Sequence, residues 1–293
     1  MSKLQFDEAT HSYTYDGVEL TSATTFIKSL WPEFDENISY YTSEAVTKEI
    51  KAWKKGTELD PEDFPKSSKL FMNNWEEEVK QRKPRKTKKC TMDEVLHFWS
   101  EKGRIASEEG TRIHDLIEKA LEGEVDLLEY IDEPEVLAAV NFANRMMNNV
   151  GADGIDAEKR VVGAEDSGTG VLRVPIAGTF DLALYRGNSV WIIDWKTNTN
   201  IHKGGYNYGV VDPVSKEKDS SIFIYTLQLS LYAYILERFY GYNIETLHIG
   251  WLHDGTCEPI QVEYKKELIE EILEECESLN SHDAELVSEE LDL

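Results

Sequence analysis

Two apolar segments of this 293-residue chain each deliver a carboxylate, and the second also delivers a lysine. In the stretch AGTFDLALYRGNSVWIIDWKTN, Asp181 follows Gly178-Thr179-Phe180, while Asp194 and Lys196 end a run opened by Val190-Trp191-Ile192-Ile193. Strand side chains alternate, so Asp194 and Lys196 share one face and Trp195 takes the other. Tyr185-Arg186-Gly187-Asn188-Ser189 reads as a hairpin turn that brings Asp181 alongside both. A hard divalent cation takes oxygen ligands and activates water, so the matching chemistry is metal-assisted hydrolysis of a phosphodiester with magnesium or manganese. Asp181 and Asp194 are the candidate ligands, and the Trp195 backbone carbonyl is a further oxygen. Lys196 is expected to orient or help deprotonate the water and to offset developing negative charge. An Asp-x-Lys pair is also an ordinary solvated ion pair on many surfaces, so other segments must decide.

The elements that would position these groups are legible as periodicity. Ile105, Leu116, Ile117, Ala120 and Leu121 mark an amphipathic helix on which Gly110 and His114 lie four apart on one face. The glycine lets backbone or substrate approach closely. His114 is either a satisfied, partly buried histidine or a metal neighbour. The segment Tyr225 to Glu237 is apolar nearly all round except for Gln228 and Ser230, as expected of a helix buried against a sheet. Its uncharged stretch is shorter than the ~20 residues of a membrane span, which excludes a transmembrane reading. Gln228 and Tyr232 share a face, either reaching the catalytic end of the sheet or serving as core polar groups. Thr246–His253 and Glu258–Tyr264, joined at Asp254-Gly255, form another expected hairpin, in which His248 and His253 are structural or surface residues.

Taken in order, Gly110-Thr111-Arg112-Ile113-His114, Gly178-Thr179-Phe180-Asp181, Asp194-Trp195-Lys196 and Gln228-Leu229-Ser230-Leu231-Tyr232 resemble the motif set of RecB-family nucleases, members of the PD-(D/E)XK superfamily. Each motif is weak alone, whereas the ordered set over residues 101–240 is specific. Within that family the AGT-x-D and IDWKT pairing is similar to the mitochondrial genome-maintenance type and its phage and bacterial relatives. The resemblance implies an α/β fold with an αβββαβ core, a central mixed sheet flanked by helices, preceded by an N-terminal hairpin and helical region. It implies a magnesium- or manganese-dependent deoxyribonuclease, an exonuclease working from ends of single-stranded DNA and leaving 5′-phosphates in replication, recombination or repair. Residue by residue, His114, Asp181 and Asp194 match the metal ligands and Lys196 the catalytic lysine. Gln228 and Tyr232 match the last motif, which positions DNA or the active-site strands. Glu158 falls where relatives carry a glutamate at the start of the first core strand, and Arg112 joins the expected DNA contacts. A literal Pro-Asp is absent, since Pro175 precedes Asp181 by several residues. An endonuclease or flap nuclease with the same site, and a non-catalytic DNA- or partner-binding module, are the alternatives.

The front of the chain alternates around Asp16-Gly17 as a hairpin, and Thr21-Ser22-Ala23-Thr24 is placed to cap a helix through Ile27 and Leu30. The expected division is 1–100 as hairpin and helical DNA-guiding region, 101–278 as nuclease core and 279–293 as a frayed acidic tail. Lys80, Arg82, Lys83, Arg85, Lys86, Lys88 and Lys89 make seven basic positions in ten, in a chain of net charge −25. That reversal of sign marks either a strand clamp, with Trp75 or Trp99 stacking on bases, or a solvated linker. Cys90, Cys257 and Cys276 are odd in number and far apart, which argues against a disulfide framework and for a reducing compartment. Three thiolates cannot hold the four-cysteine iron–sulfur cluster of some relatives. The start MSKLQFDE lacks a basic and then apolar leader, so cytoplasmic residence is expected, in a bacterial or phage-infected cell, with replication or recombination proteins as possible partners.

Overall fold

The computed structural model describes residues 4–7, 12–36, 39–40, 92–124, 130, 132–163 and 175–276. The basic run Lys80–Lys89, Trp75, Cys90 and the acidic tail 279–293 lie outside the described residues. In chain order the elements are β1 (Leu4–Asp7), β2 (Ser12–Tyr15), β3 (Val18–Ser22), α1 (Ala23–Ser29), α2 (Met92–Leu121) and α3 (Pro134–Val150). There follow β4 (Gly154–Val162), β5 (Ile176–Arg186), β6 (Ser189–Lys196), a 3-10 turn (Asp212–Val214), α4 (Ser221–Tyr240), β7 (Asn243–His253), β8 (Thr256–Val262) and α5 (266–276).

Local chemistry accounts for the punctuation. The two-residue hairpins β2–β3 and β7–β8 turn at Asp16-Gly17 (φ 51° and 83°) and Asp254-Gly255 (φ 47° and 71°). Such turns need positive φ twice, which Asp tolerates and Gly adopts freely. Ser22 ends β3 and starts α1, its Oγ accepting the Thr25 N–H at 3.0 Å. This cap satisfies one of the donors that a helix start leaves unpaired.

The strands form one mixed sheet in the order β1-β2-β3-β5-β6-β7-β8, with β4 also paired to β5. The β3–β5 and β6–β7 pairs are parallel and the remainder antiparallel. Helices flank it on both faces. On one face Leu227, Leu231, Ala233 and Ile235 of α4, with Ile27 of α1 and Ile269 and Ile272 of α5, bury Phe180, Ile192 and Ile249. On the other, Val136, Ala139 and Phe142 of α3 and Ile113 and Ile117 of α2 cover Leu182, Leu184, Trp191, Ile193 and Trp195. At about 1.5–3 kcal/mol per fully buried large apolar side chain, these two layers dominate the stability of the sheet. No described helix is long and apolar enough to cross a membrane.

The expected division placed a boundary at 100/101. The chain divides into one compact unit of residues 1–32 with 110–293 and another of residues 33–109. The N-terminal hairpin belongs to the first unit because β3 adds in parallel to β5 through Thr21↔Ile176 and Ser22↔Ala177. The unit boundary falls within α2, a helix of 30 residues that begins well before Ile105. Ile105, counted above on the apolar face, is 46% exposed, whereas Ile113 and Ile117 are buried.

Candidate metal centre

Asp181 sits where β5 loses regular alternation. Phe180 packs with the α4 layer and Leu182 with the α3 layer, although residues two apart on a regular strand share a face. The partner strand departs from regularity at the same rung: Ala157 pairs with Leu182 and Lys159 with Phe180, and between them Glu158 stands opposite Asp181 without a ladder pairing. Glu158 has φ 48°, a left-handed conformation costing roughly 1–2 kcal/mol for a residue with a Cβ. On its other edge β5 pairs with β6 only as far as Leu182↔Ile193 and with β3 only at Ile176 and Ala177. The Asp181 carboxylate occupies the opening between the strands, where Oδ2 accepts the Trp195 N–H at 2.5 Å.

His114 reaches the same place from α2, its Nδ1 2.9 Å from Asp181 Oδ1. One ligand atom each of His114, Glu158 and Asp181 lie within 4.8 Å of one another, so these three could hold a metal ion. Gly110, one turn before His114, explains how the helix comes so close: a Cβ there would lie 3.2 Å from Thr197 Oγ1, just past the end of β6.

The electrostatics are those of a crowded acid cluster. Burial, then the Asp181 and Glu118 carboxylates, push Glu158 up to about 8, so at neutral pH it carries a proton. Burial works against ionised Asp181 as well, but His114, Lys196 and the Trp195 N–H outweigh it and hold Asp181 below the usual range. His114 moves up despite its burial, because Asp181 faces it. A cation bound here would take over the role of these protons, which is the behaviour expected of a His/Glu/Asp ligand set.

Asp194 and Lys196 occupy the other side of the opening. They form an ion pair with each other, and Trp195 between them packs against Phe142 of α3. The alternation read from the sequence is therefore what β6 does. Burial would lower Lys196, but Asp194 and Asp181 outweigh it, so the ammonium stays charged. It lies 4.8 Å from the centroid of the Tyr225 ring, whose hydroxyl donates to Asn198 Oδ1 at 2.8 Å. Asp194, expected as a ligand, is not among the three residues that converge within 4.8 Å. Trp195 meets the site through its backbone, its N–H donating to Asp181 Oδ2.

The remaining expected residues fall into place unevenly. Gln228 Nε2 donates to Tyr232 Oη at 3.0 Å and to Thr24 Oγ1 at 3.1 Å, so the pair ties α4 to α1. Gly178 makes room for it, since a Cβ there would lie 2.6 Å from Tyr232 Cε1. Arg112, expected on DNA, forms a two-pronged pair with Glu133 at 2.7 and 3.0 Å. Trp99 packs with Val95, Phe98 and Tyr40 in a small cluster of the 33–109 unit and meets Phe34 edge-on. Three neighbours escaped the sequence reading. Glu118 had a signal, lying four residues after His114 on the same helical face. Thr24 and Tyr225 had none, because each arrives from a different element.

No family model matches the chain, and no curated protein matches it. Among solved structures, one described as the crystal structure of SSO0001 is similar at 12% identity, over 57% of this chain and 74% of that chain, with a TM-score of 0.28. A likeness at that level carries no argument about this chain.

Proposed function

We propose that this chain is a magnesium- or manganese-dependent deoxyribonuclease of the RecB type within the PD-(D/E)XK superfamily, acting as an exonuclease on single-stranded ends. The observation that carries the reading is the opening between β5 and β6, where His114, Glu158 and Asp181 converge beside the Asp194–Lys196 pair. The succession α3, β4, β5, β6, α4, β7 supports it, being the αβββαβ order of that superfamily.

A divalent cation would supply a Lewis acid for the phosphodiester and an activated water. His114, Glu158 and Asp181 would hold it, with Asp194 within electrostatic range. His114 must give up a proton to act as a ligand, and its Asp181 contact then fixes the ring. The Trp195 N–H keeps Asp181 aimed into the opening. Lys196, held ionised by Asp194, donates to the attacking water or to the non-bridging phosphate oxygens and offsets their growing charge. Attack from the side away from the 3′-oxygen breaks the P–O3′ bond and leaves a 5′-phosphate.

The test is cleavage of end-labelled linear single-stranded DNA beside a closed circular strand, with magnesium, with manganese and with EDTA, and with Asp194→Ala as control. Metal-dependent shortening of the linear strand alone is the expected outcome, and the position of the label gives the polarity. Cleavage of the circle would replace the exonuclease by an endonuclease. Absence of cleavage on single-stranded and duplex substrates would overturn the enzyme reading in favour of a binding module.

A further inference from the structure

The loop that follows Lys196 presents an outer face that the hydrolytic site does not use. Residues 205–210 read Gly-Tyr-Asn-Tyr-Gly-Val, and their exposure alternates: Tyr206 is 74%, Tyr208 55% and Val210 59% exposed, with Gly205, Asn207 and Gly209 turned inward. The inner side is tightly built. A Cβ on Gly205 would lie 2.5 Å from the Ser220 nitrogen, and one on Gly209 would lie 2.4 Å from the Val214 carbonyl oxygen. The Asp219 carboxylate accepts the Tyr206 N–H, the Asn207 N–H at 2.9 Å and the Asn207 amide at 3.0 Å. Gly209 N–H donates to the Glu217 carbonyl and Val210 N–H to the Leu30 carbonyl. The backbone is thus fixed at several points while both tyrosine rings stand in solvent.

Each exposed ring has a cation beside it. Lys203 Nζ lies 5.1 Å from the Tyr206 ring centroid and Lys218 Nζ 5.3 Å from that of Tyr208. The loop also lies close to the catalytic lysine. Gly205 presses on Ser220, the residue before α4, and Tyr225, whose ring meets Lys196, lies five residues further on, about 7.5 Å along the helix axis.

We propose that this loop is a stacking platform for single-stranded DNA, with Tyr206 and Tyr208 each taking a nucleobase and Lys203 and Lys218 facing the flanking phosphates. The proposal rests on the nuclease reading and names where its substrate is held. Tyr206 and Tyr208 are two residues apart and both exposed, so neighbouring unpaired bases can use both. Stacking rather than charge must carry the contact. Residues 197–220 hold Lys203, Lys216 and Lys218 against Asp212, Glu217 and Asp219, so the segment has no net charge and counterion release is confined to the lysines that face phosphates. Ring-to-base stacking tolerates any sequence, as a nuclease acting on ends requires.

The test uses the full chain in EDTA with a fluorescent dT20 strand, and a second series carrying single 2-aminopurines along it. The double variant Tyr206→Ala, Tyr208→Ala is expected to bind on the order of 10- to 100-fold more weakly, with an unchanged salt dependence. The wild type should quench 2-aminopurine at adjacent positions and the alanine variant should not, while Tyr206→Phe, Tyr208→Phe keeps both binding and quenching. Lys203→Ala should make the logarithmic salt slope shallower by about 0.7. With manganese present, the alanine variant should raise KM for a linear strand by a factor similar to its loss of affinity. Wild-type affinity and quenching in the alanine variant would overturn the platform while leaving the nuclease reading intact. A wild type that neither binds dT20 nor cuts DNA with metal would overturn the nuclease reading itself.

Discussion

The two sides of the β5–β6 opening hold their carboxylates in opposite ways. Asp194 has a lysine partner, so that side is close to neutral whether or not an ion is present. Glu158 and Asp181 face each other beside His114, and protonation of Glu158 relieves the burial and the mutual repulsion. The crowded side could take up a positive charge, and the paired side already holds one in place. Under the proposed nuclease reading, a ligand pocket and a catalytic cation would share one opening, each with its own carboxylate.

Substitutions can break that division of labour, and the largest effect is expected at its centre. Asp181→Ala should abolish both manganese binding, read by calorimetry, and cleavage. Lys196→Ala should lower cleavage on the order of 10²- to 10³-fold while leaving manganese affinity near wild type. Equal loss of metal binding in both variants would erase the distinction between the sides.

Glu158 sharpens it through pH. Its folded value of about 8 is above the ordinary 4.5, so ionisation opposes folding of the metal-free chain. That penalty is absent below pH 4.5, grows as pH rises through the window to 8 and is constant above it. Glu158→Gln should therefore raise thermal stability at pH 8 but not at pH 4, by an amount on the order of a few kcal/mol, and should weaken manganese binding. The wild type should bind manganese more tightly as pH rises towards 8, releasing protons measurable in buffers of different ionisation enthalpy.

Smaller effects lie at the supports. Gly178→Ala would drive a methyl into Tyr232 and should cost about 1–3 kcal/mol in denaturant unfolding, with reduced cleavage because Asp181 is three residues along the same strand. Arg112→Ala should cost less than about 1 kcal/mol, as expected of an exposed ion pair, and should leave DNA affinity unchanged, in contrast to its role in the family resemblance.

Much of the positioning frame was legible because it follows local rules. Asp-Gly turns, the Ser22 cap, the apolar helix around Gln228 and the alternation of Asp194, Trp195 and Lys196 all depend on neighbours within a few residues. The place of the N-terminal hairpin was not legible for the complementary reason: β3 joins the sheet by pairing with Ile176 and Ala177, about 155 residues away, and no local signal announces that partner. Glu158 was placed only through resemblance. Nothing in Ala157-Glu158-Lys159 signals the left-handed residue that turns its carboxylate towards Asp181.

The amino-acid sequence by itself determined which groups are available for chemistry and which strand or helix carries each, because period and turn chemistry are properties of short segments. Only the tertiary structure decided which of them meet. The slip in alternation at Asp181, the helix close to Thr197 over Gly110 and the pairing of Asp194 with Lys196 are products of packing between distant elements. That packing separated the expected site residues into a converging trio, His114, Glu158 and Asp181, and a separate Asp194–Lys196 ion pair, because burial makes unpaired charge costly and each carboxylate takes whichever proton or cation the fold brings within reach.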